Sequence, residues 1–288
     1  MADRDLGVPE NAAGGWFVDS SCIDCDTCRW MAPEIFADAG SHSYVARQPA
    51  TPDEAARAAR ALVACPTASI GTDAREFLAA ARKAFPLPID GPVHHNGYHD
   101  EASFGATSYF VRRADGNVLV DVPRFSKALV DNIEAMGGLA WIFLTHRDDV
   151  GSHRKWARHF GAKRIIHEND REEDTQDVEV VLDGDEPREL LRGGVVIPTP
   201  GHSPGSACLL IDGRWLFSGD HIAGHHAAGR LTAFRNFSDD WPRTRASVGL
   251  LKRFTFEWVL PGHGRIHQAP PAEMQKALDA LLAWMRTV

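Results

Sequence analysis

The chain has 288 residues, 44% of them hydrophobic and 24% charged, with a formal net charge of -8. That length holds one large core or a small domain beside a larger one, and the composition is that of an ordinary globular protein. The negative charge argues against nucleic acid or anionic membrane as the main partner, and no apolar stretch approaches the length of a membrane span.

The first fifteen residues, MADRDLGVPENAAGG, have no basic flank followed by a hydrophobic region. A secretory signal is therefore not expected, and a cytoplasmic, reducing location is. There a tight triplet of cysteines points to metal rather than to disulfides. Cys22, Cys25 and Cys28 form such a triplet in CIDCDTC, and Cys65 follows in ACPTASI with Pro66 behind it. A C-x-x-C-x-x-C loop can wrap three corners of an iron-sulfur cubane, and a distant Cys-Pro can close the fourth. Two-cluster ferredoxins place a further cysteine shortly after the triplet. Here that position is Ala32, followed by Pro33, which implies a single cluster. The alternative, a zinc site, ordinarily pairs two C-x-x-C knuckles. TPDEAARAARALVAC reads as the helix that delivers Cys65, with Thr51 as cap, Pro52 in the first turn, and Asp53 and Glu54 at the positive end of its dipole. Trp30, Ile35 and Phe36 read as small-core residues. Residues 16–72 resemble a bacterial-type ferredoxin domain, which implies one [4Fe-4S] cluster held by Cys22, Cys25, Cys28 and Cys65.

The Gly/Pro-rich FPLPIDGPVHHNGYHD then reads as a linker over residues 86–99, dividing a domain of residues 1–85 from one of 100–288. Beyond it, β-like runs (TSYFVRR, NVLVDV, LAWIFLT, VVIPTP, SACLLI, RWLFSG, FEWVLP) alternate with helical ones, as in an α/β sandwich. Chemistry-bearing residues stand at the strand ends: His146 after IFLT, His202 in TPGHSPGS, Asp220 in FSGDH and His263 in LPGHG. Imidazoles and a carboxylate converging from separate strand ends can fix a transition metal, and adjacent glycines let the backbone turn sharply. Cys208 reads as a buried strand residue, and the acidic run HENDREEDTQDVE as a solvated loop.

TPGHSPGS, FSGDH and LPGHG, in that order, resemble the metallo-β-lactamase fold superfamily. This resemblance implies a four-layer αβ/βα sandwich, which with the ferredoxin resemblance makes the expected fold an α+β ferredoxin-like N-terminal domain followed by that sandwich. It also implies His146 and His202 on a first metal, His263 on a second, and Asp220 bridging the two. The family's first motif, H-x-H-x-D-H, is not intact. Counted from His146, its remaining ligand positions hold Asp148, Val150 and Gly151. Asp148 can replace the second histidine, a substitution similar to the flavodiiron branch and suited to iron or manganese. Asp149 and His153, four residues apart, lie on one face if a helix starts here and then restore a second-metal pair. Otherwise Asp149 is a helix cap and His153 faces solvent. His94, His95, His99, His167, His221, His225 and His226 read as polar loop or strand-end histidines.

Three functions fit this reading. The leading one is a metal-dependent hydrolase acting on a small molecule, with one or two iron, zinc or manganese ions and with Asp220 and Asp149 as its catalytic carboxylates. The second is an oxidoreductase in which the cluster feeds electrons from an external redox partner to a non-haem iron centre. The third is a non-catalytic electron carrier or redox sensor.

Overall fold

The computed structural model describes residues 2–226 and 229–288. Its N-terminal unit is built around the helix Pro52–Ala64, which starts where the sequence places it. Thr51 accepts the Glu54 amide, Pro52 sits in the first turn, and the Glu54 carboxylate accepts the Ala50 amide at 2.7 Å. Ala55, Ala58, Ala59 and Ala61 bury a face so flat that the short helix Thr27–Met31 packs closely against it. Two antiparallel pairs, Trp16–Val18 with Ile70–Thr72 and Phe36–Asp38 with Ser43–Val45, complete the unit. Ile35 and Phe36 are buried in its core, as expected.

The segment expected as a linker is instead a hairpin. Leu87–Asp90 pairs with Val93–His95, and the latter with Tyr109–Val111, so residues 87–95 form the edge of the first sheet of the larger domain. The prolines that suggested a linker are tolerated because an edge strand has no neighbour to receive the missing N–H. Gly91, at φ +51°, makes the turn. The first sheet thus includes residues 87–95, within the segment expected as a linker.

Among the described residues that first sheet has seven strands, in the order Val180–Leu182, Lys163–His167, Trp141–Phe143, Val118–Val120, Tyr109–Val111, Val93–His95, Leu87–Asp90. Its first four strands are mutually parallel, which brings their C-terminal ends to one edge. The second sheet runs Arg188–Leu191, Gly194–Pro198, Ala207–Ile211, Trp215–Gly219, Trp258–Pro261, His267–Gln268. Within it Trp215–Gly219 and Trp258–Pro261 are parallel. The inner faces meet through Val111, Val118, Phe143 and Ile165 on one side and Leu209, Ile211, Phe217 and Leu260 on the other. The helices Lys127–Ala135 and His153–Phe160 cover the outer face of the first sheet, and Trp241–Leu251 and Pro271–Trp284 that of the second. This is the expected four-layer αβ/βα sandwich. The buried residues of the N-terminal unit are continuous with the core beneath the first pair of helices, through Phe85 and Tyr98. Among the described residues no helix is long and apolar enough to cross a membrane.

Candidate metal centre and cluster site

His146 stands just beyond the strand Trp141–Phe143, and its tautomer is fixed from behind. The Thr145 hydroxyl donates to Asp121 at 2.9 and 3.0 Å, so its oxygen accepts from His146 Nδ1 at 3.0 Å. The lone pair is thereby left on Nε2, which is buried and without a hydrogen-bond partner. Three carboxylates face it: Asp220 Oδ2 at 3.7 Å, Asp149 Oδ2 at 3.8 Å and Asp148 Oδ2 at 3.9 Å. His202 Nε2 lies 3.5 Å from Asp148 Oδ2 and 3.8 Å from Asp220 Oδ2, its ring nearly perpendicular to that of His146 at 84°. Most of these separations are too long for hydrogen bonds, yet all suit donors sharing an ion. Two donor sets result, His146–Asp148–His202 and His146–Asp149–Asp220, each with its ligand atoms within 4.8 Å of one another. His263 adjoins the second. Its Nδ1 lies 2.9 Å from Asp220 Oδ2, and its Nε2 is buried and unpartnered.

Electrostatics test whether a cation fits. Burial, and then the charge of Asp220, push the Asp149 carboxyl well above its usual range. Burial also opposes the charge on Asp220, but His263, His146 and His202 outweigh it and hold the carboxyl low. Conversely, burial disfavours the His263 cation, yet Asp220 lifts it to about 10. A buried Asp149 oxygen and inward-facing nitrogens of His146, His202 and His263 all lack partners. Such groups are costly to bury unless a cation ties them together. The backbone leaves room for it. A Cβ on Gly262 would sit 2.8 Å from Asp220 Oδ1 and 2.9 Å from Asp149 Oδ2, and one on Gly219 would sit 2.4 Å from Thr145 Oγ1. The residues present fit one or two metal ions.

The altered first motif resolves residue by residue. Asp148 lies where the second histidine was expected and opens toward solvent with 61% of its side chain exposed. Asp149 lies in the second candidate donor set and does not cap the helix, which begins at His153 behind Ser152. His153 does not join. It is buried, with Nδ1 3.3 Å from the Arg164 guanidinium, and helical spacing cannot align it with Asp149 because Asp149 precedes the helix. The other histidines stay outside both donor sets, although His95, His99, His167 and His221 are buried. His167 is structural, with Nε2 against the Gly184 carbonyl and Nδ1 accepting the Asn169 amide. Cys208 is a buried strand residue, as expected.

Two supporting aspartates escaped the sequence reading. Asp121 follows a strand end in VLVDV, the same setting as the ligands, and that signal was available. Asp170 lies in the acidic run read as solvated, but it is buried. It accepts from the Arg147 amide, the Gly205 amide and the Ser203 hydroxyl, tying the His146 loop to the His202 loop. Nothing local distinguishes it from its exposed neighbours.

Across the domain boundary, Cys22, Cys25, Cys28 and Cys65 line one pocket with Val18, Ile23 and Ile70. All four are free thiols. Asp24 and Asp26 adopt left-handed conformations at φ 60° and 65°, and Arg29 braces both carboxylates at 2.6 Å. The Ser43 amide donates to Cys22 Sγ at 3.4 Å. Burial pushes the Cys28 thiol up, and its three neighbouring sulfurs add to the shift. Four converging sulfurs in an apolar pocket fit an iron-sulfur cluster.

The two sites are neighbours. Gly105 lies so close to the cluster loop that a Cβ there would stand 2.8 Å from Cys25 Cβ. Arg265 Nε pairs with Asp26 at 2.7 Å, and the His99 amide donates to the Ala64 carbonyl at 3.1 Å. A cavity of about 630 Å³ opens over the metal residues, walled by Phe104, Phe234 and Phe237 and, from the cluster loop, by Ile23 and Asp24.

Comparisons with known proteins agree with this geometry. Residues 95–253 match the family model of the metallo-beta-lactamase superfamily, and residues 18–72 match that of the 4Fe-4S single cluster domain of Ferredoxin I. Among solved structures, the BLEG-1 B3 metallo-beta-lactamase is 18% identical, with 64% of this chain and 95% of that one covered at a TM-score of 0.52. The metallo-beta-lactamase FIM-1 from Pseudomonas aeruginosa, in its mono-zinc form, is 20% identical, with 68% and 93% covered at a TM-score of 0.52. At such identities the likeness is one of fold. No curated protein matches the sequence. The chain belongs to the metallo-β-lactamase superfamily and carries, ahead of that fold, a single-cluster 4Fe-4S ferredoxin domain.

Proposed function

We propose that the chain is a metal-dependent hydrolase of a small-molecule substrate, with its [4Fe-4S] cluster serving electron transfer or redox control. The observation that carries this is the convergence of unpartnered, buried nitrogen and oxygen atoms beneath an open cavity. In this reading His146, Asp148 and His202 hold one ion, and Asp149 and His263 hold the other, with Asp220 between them. When bound, such ions lower the pKa of a coordinated water toward neutrality and polarise a carbonyl or phosphoryl oxygen. Asp220 orients the attacking water. Asp149 would take the proton that the water gives up on the carboxylate oxygen not turned toward the ion, and return it to the leaving group. Phe104, Phe234, Phe237 and Ile23 cover the organic part of the substrate and exclude bulk water. Asp24 and Asp148 at the mouth disfavour a strongly anionic substrate.

The test is turnover of a panel of thioesters, lactones and phosphodiesters by protein reconstituted with zinc, manganese or iron. Asp220→Asn is expected to lower kcat at least 100-fold, on the order of the loss from removing one key polar group, with the fold retained by circular dichroism. Wild-type turnover in the variant, or none in the parent with any metal, rejects the hydrolase.

One observation favours a second reading, an oxidoreductase: residues of the cluster loop form part of the cavity wall. Two histidines and a carboxylate, His146, His202 and Asp148, also suit non-haem iron. An external one-electron donor would then reduce the cluster. Iron beyond the cluster's own complement in protein purified without oxygen supports this reading, and zinc in that place counts against it.

A further inference from the structure

Four residues connect the two domains through polar atoms. His95 and His99 come from the larger domain, at and just beyond the strand Val93–His95, whereas Thr27 and Cys25 belong to the cluster loop. His95 Nε2 lies 2.8 Å from His99 Nε2. His99 Nδ1 lies 2.6 Å from the Gly105 carbonyl and 3.1 Å from Thr27 Oγ1. As a free thiol, Cys25 Sγ donates to Thr27 Oγ1 at 3.4 Å.

The proton positions follow from donor and acceptor chemistry. A carbonyl only accepts, so His99 Nδ1 carries the hydrogen and shares it between Gly105 and Thr27. His95 and His99 are both buried, His95 beside Phe85 and Trp30, and burial favours neutral imidazoles. In neutral His99, Nε2 is then the acceptor, and His95 Nε2 donates to it. A Cys25 that ligates the cluster has lost its own hydrogen and can only accept, so the Thr27 hydroxyl, whose oxygen accepts from His99, is then the group left to donate to Cys25 Sγ. Every hydrogen in the series points the same way, toward the sulfur, and such chains polarise one another.

We propose that this series, His95 to His99 to Thr27 to Cys25, is a hydrogen-bond relay through which the larger domain sets the reduction potential of the cluster. A hydrogen bond donated to a ligating sulfur stabilises the reduced, more negative cluster and so raises the potential. Thr27 and His99 are positioning residues here, since neither is itself a cluster ligand. The inference rests on Cys22, Cys25, Cys28 and Cys65 holding the cluster.

The experiment is a redox titration of the full chain, followed by visible absorption and by the electron paramagnetic resonance of the reduced cluster. Thr27→Val, which keeps the shape and removes the hydroxyl, is expected to lower the midpoint potential, and Thr27→Ser to restore it. His99→Gln is expected to lower it too. The double variant Thr27→Val/His99→Gln should fall no further than Thr27→Val alone, because the two act in series. If Thr27→Val fails to assemble a cluster, the comparison of His99→Gln with the parent decides. An intact cluster at the parent potential in these variants, or fully additive shifts, overturns the relay. A parent protein that assembles no [4Fe-4S] cluster under anaerobic reconstitution rejects the cluster assignment instead.

Discussion

Gly262 offers a sharp test of the metal centre because its role is to be small rather than to bind. In Gly262→Ala the new Cβ would stand 2.8 Å from Asp220 Oδ1 and 2.9 Å from Asp149 Oδ2. Ordinary carbon–oxygen contact is near 3.4 Å, so each carboxylate must retreat by roughly half an ångström. Asp220 cannot do so freely, because Oδ1 accepts the His263 amide at 2.9 Å and both oxygens face the His263 ring. Displacing groups that orient metal ligands costs about 10- to 100-fold in metal affinity. The effect should fall chiefly on the ion that Asp149, Asp220 and His263 would hold, and less on the one that His146, Asp148 and His202 would hold, which feels only the shift of Asp220. The assay is competition with a chromogenic chelator, together with metal content by elemental analysis and thermal denaturation as a fold control. Wild-type affinity and stoichiometry in a folded variant would refute the placement of a cation between these two carboxylates.

Two further predictions follow from the same geometry. His153→Ala should retain full metal content but lose about 1–3 kcal/mol of stability in urea denaturation, because it empties a buried site against Arg164; loss of a metal would restore His153 as a ligand. Burial pushes the Cys208 thiol up to about 12, so at pH 8 only about one part in 10,000 is thiolate. Iodoacetamide should leave Cys208 unmodified in the folded protein, as read by peptide mass spectrometry, and prompt alkylation would contradict the burial. Because this pKa is raised in the folded state, the associated stability is complete below the pKa of the unfolded thiol and is lost as pH rises toward 12.

Much of the site could be read from local sequence. Four cysteines at cluster spacing, a helix with a Thr51 cap, and His146, His202, Asp220 and His263 beside turn-forming residues at strand ends are short-range signals, since strand, turn and ligand lie within a few residues of one another. The pairing of Asp149 with His153 as second-metal ligands was different. It depended on where a helix begins, and the tertiary structure starts it at His153, leaving Asp149 in the loop that turns into the centre. The hairpin of residues 87–95 looked like a linker because proline and glycine signal irregular backbone, and only its place at a sheet edge makes them harmless.

What lay wholly beyond the sequence was the meeting of its parts. Asp170 became a brace between two ligand loops, Ile23 and Asp24 became cavity wall, and Thr27 met His99 across a domain boundary. Local pattern determines which side chains can ligate, because ligation needs particular atoms on a suitably turned backbone. Which of them share an ion, and which side chains stand behind them, is decided by the packing of distant strands, where burial and charge are set by neighbours remote in the chain.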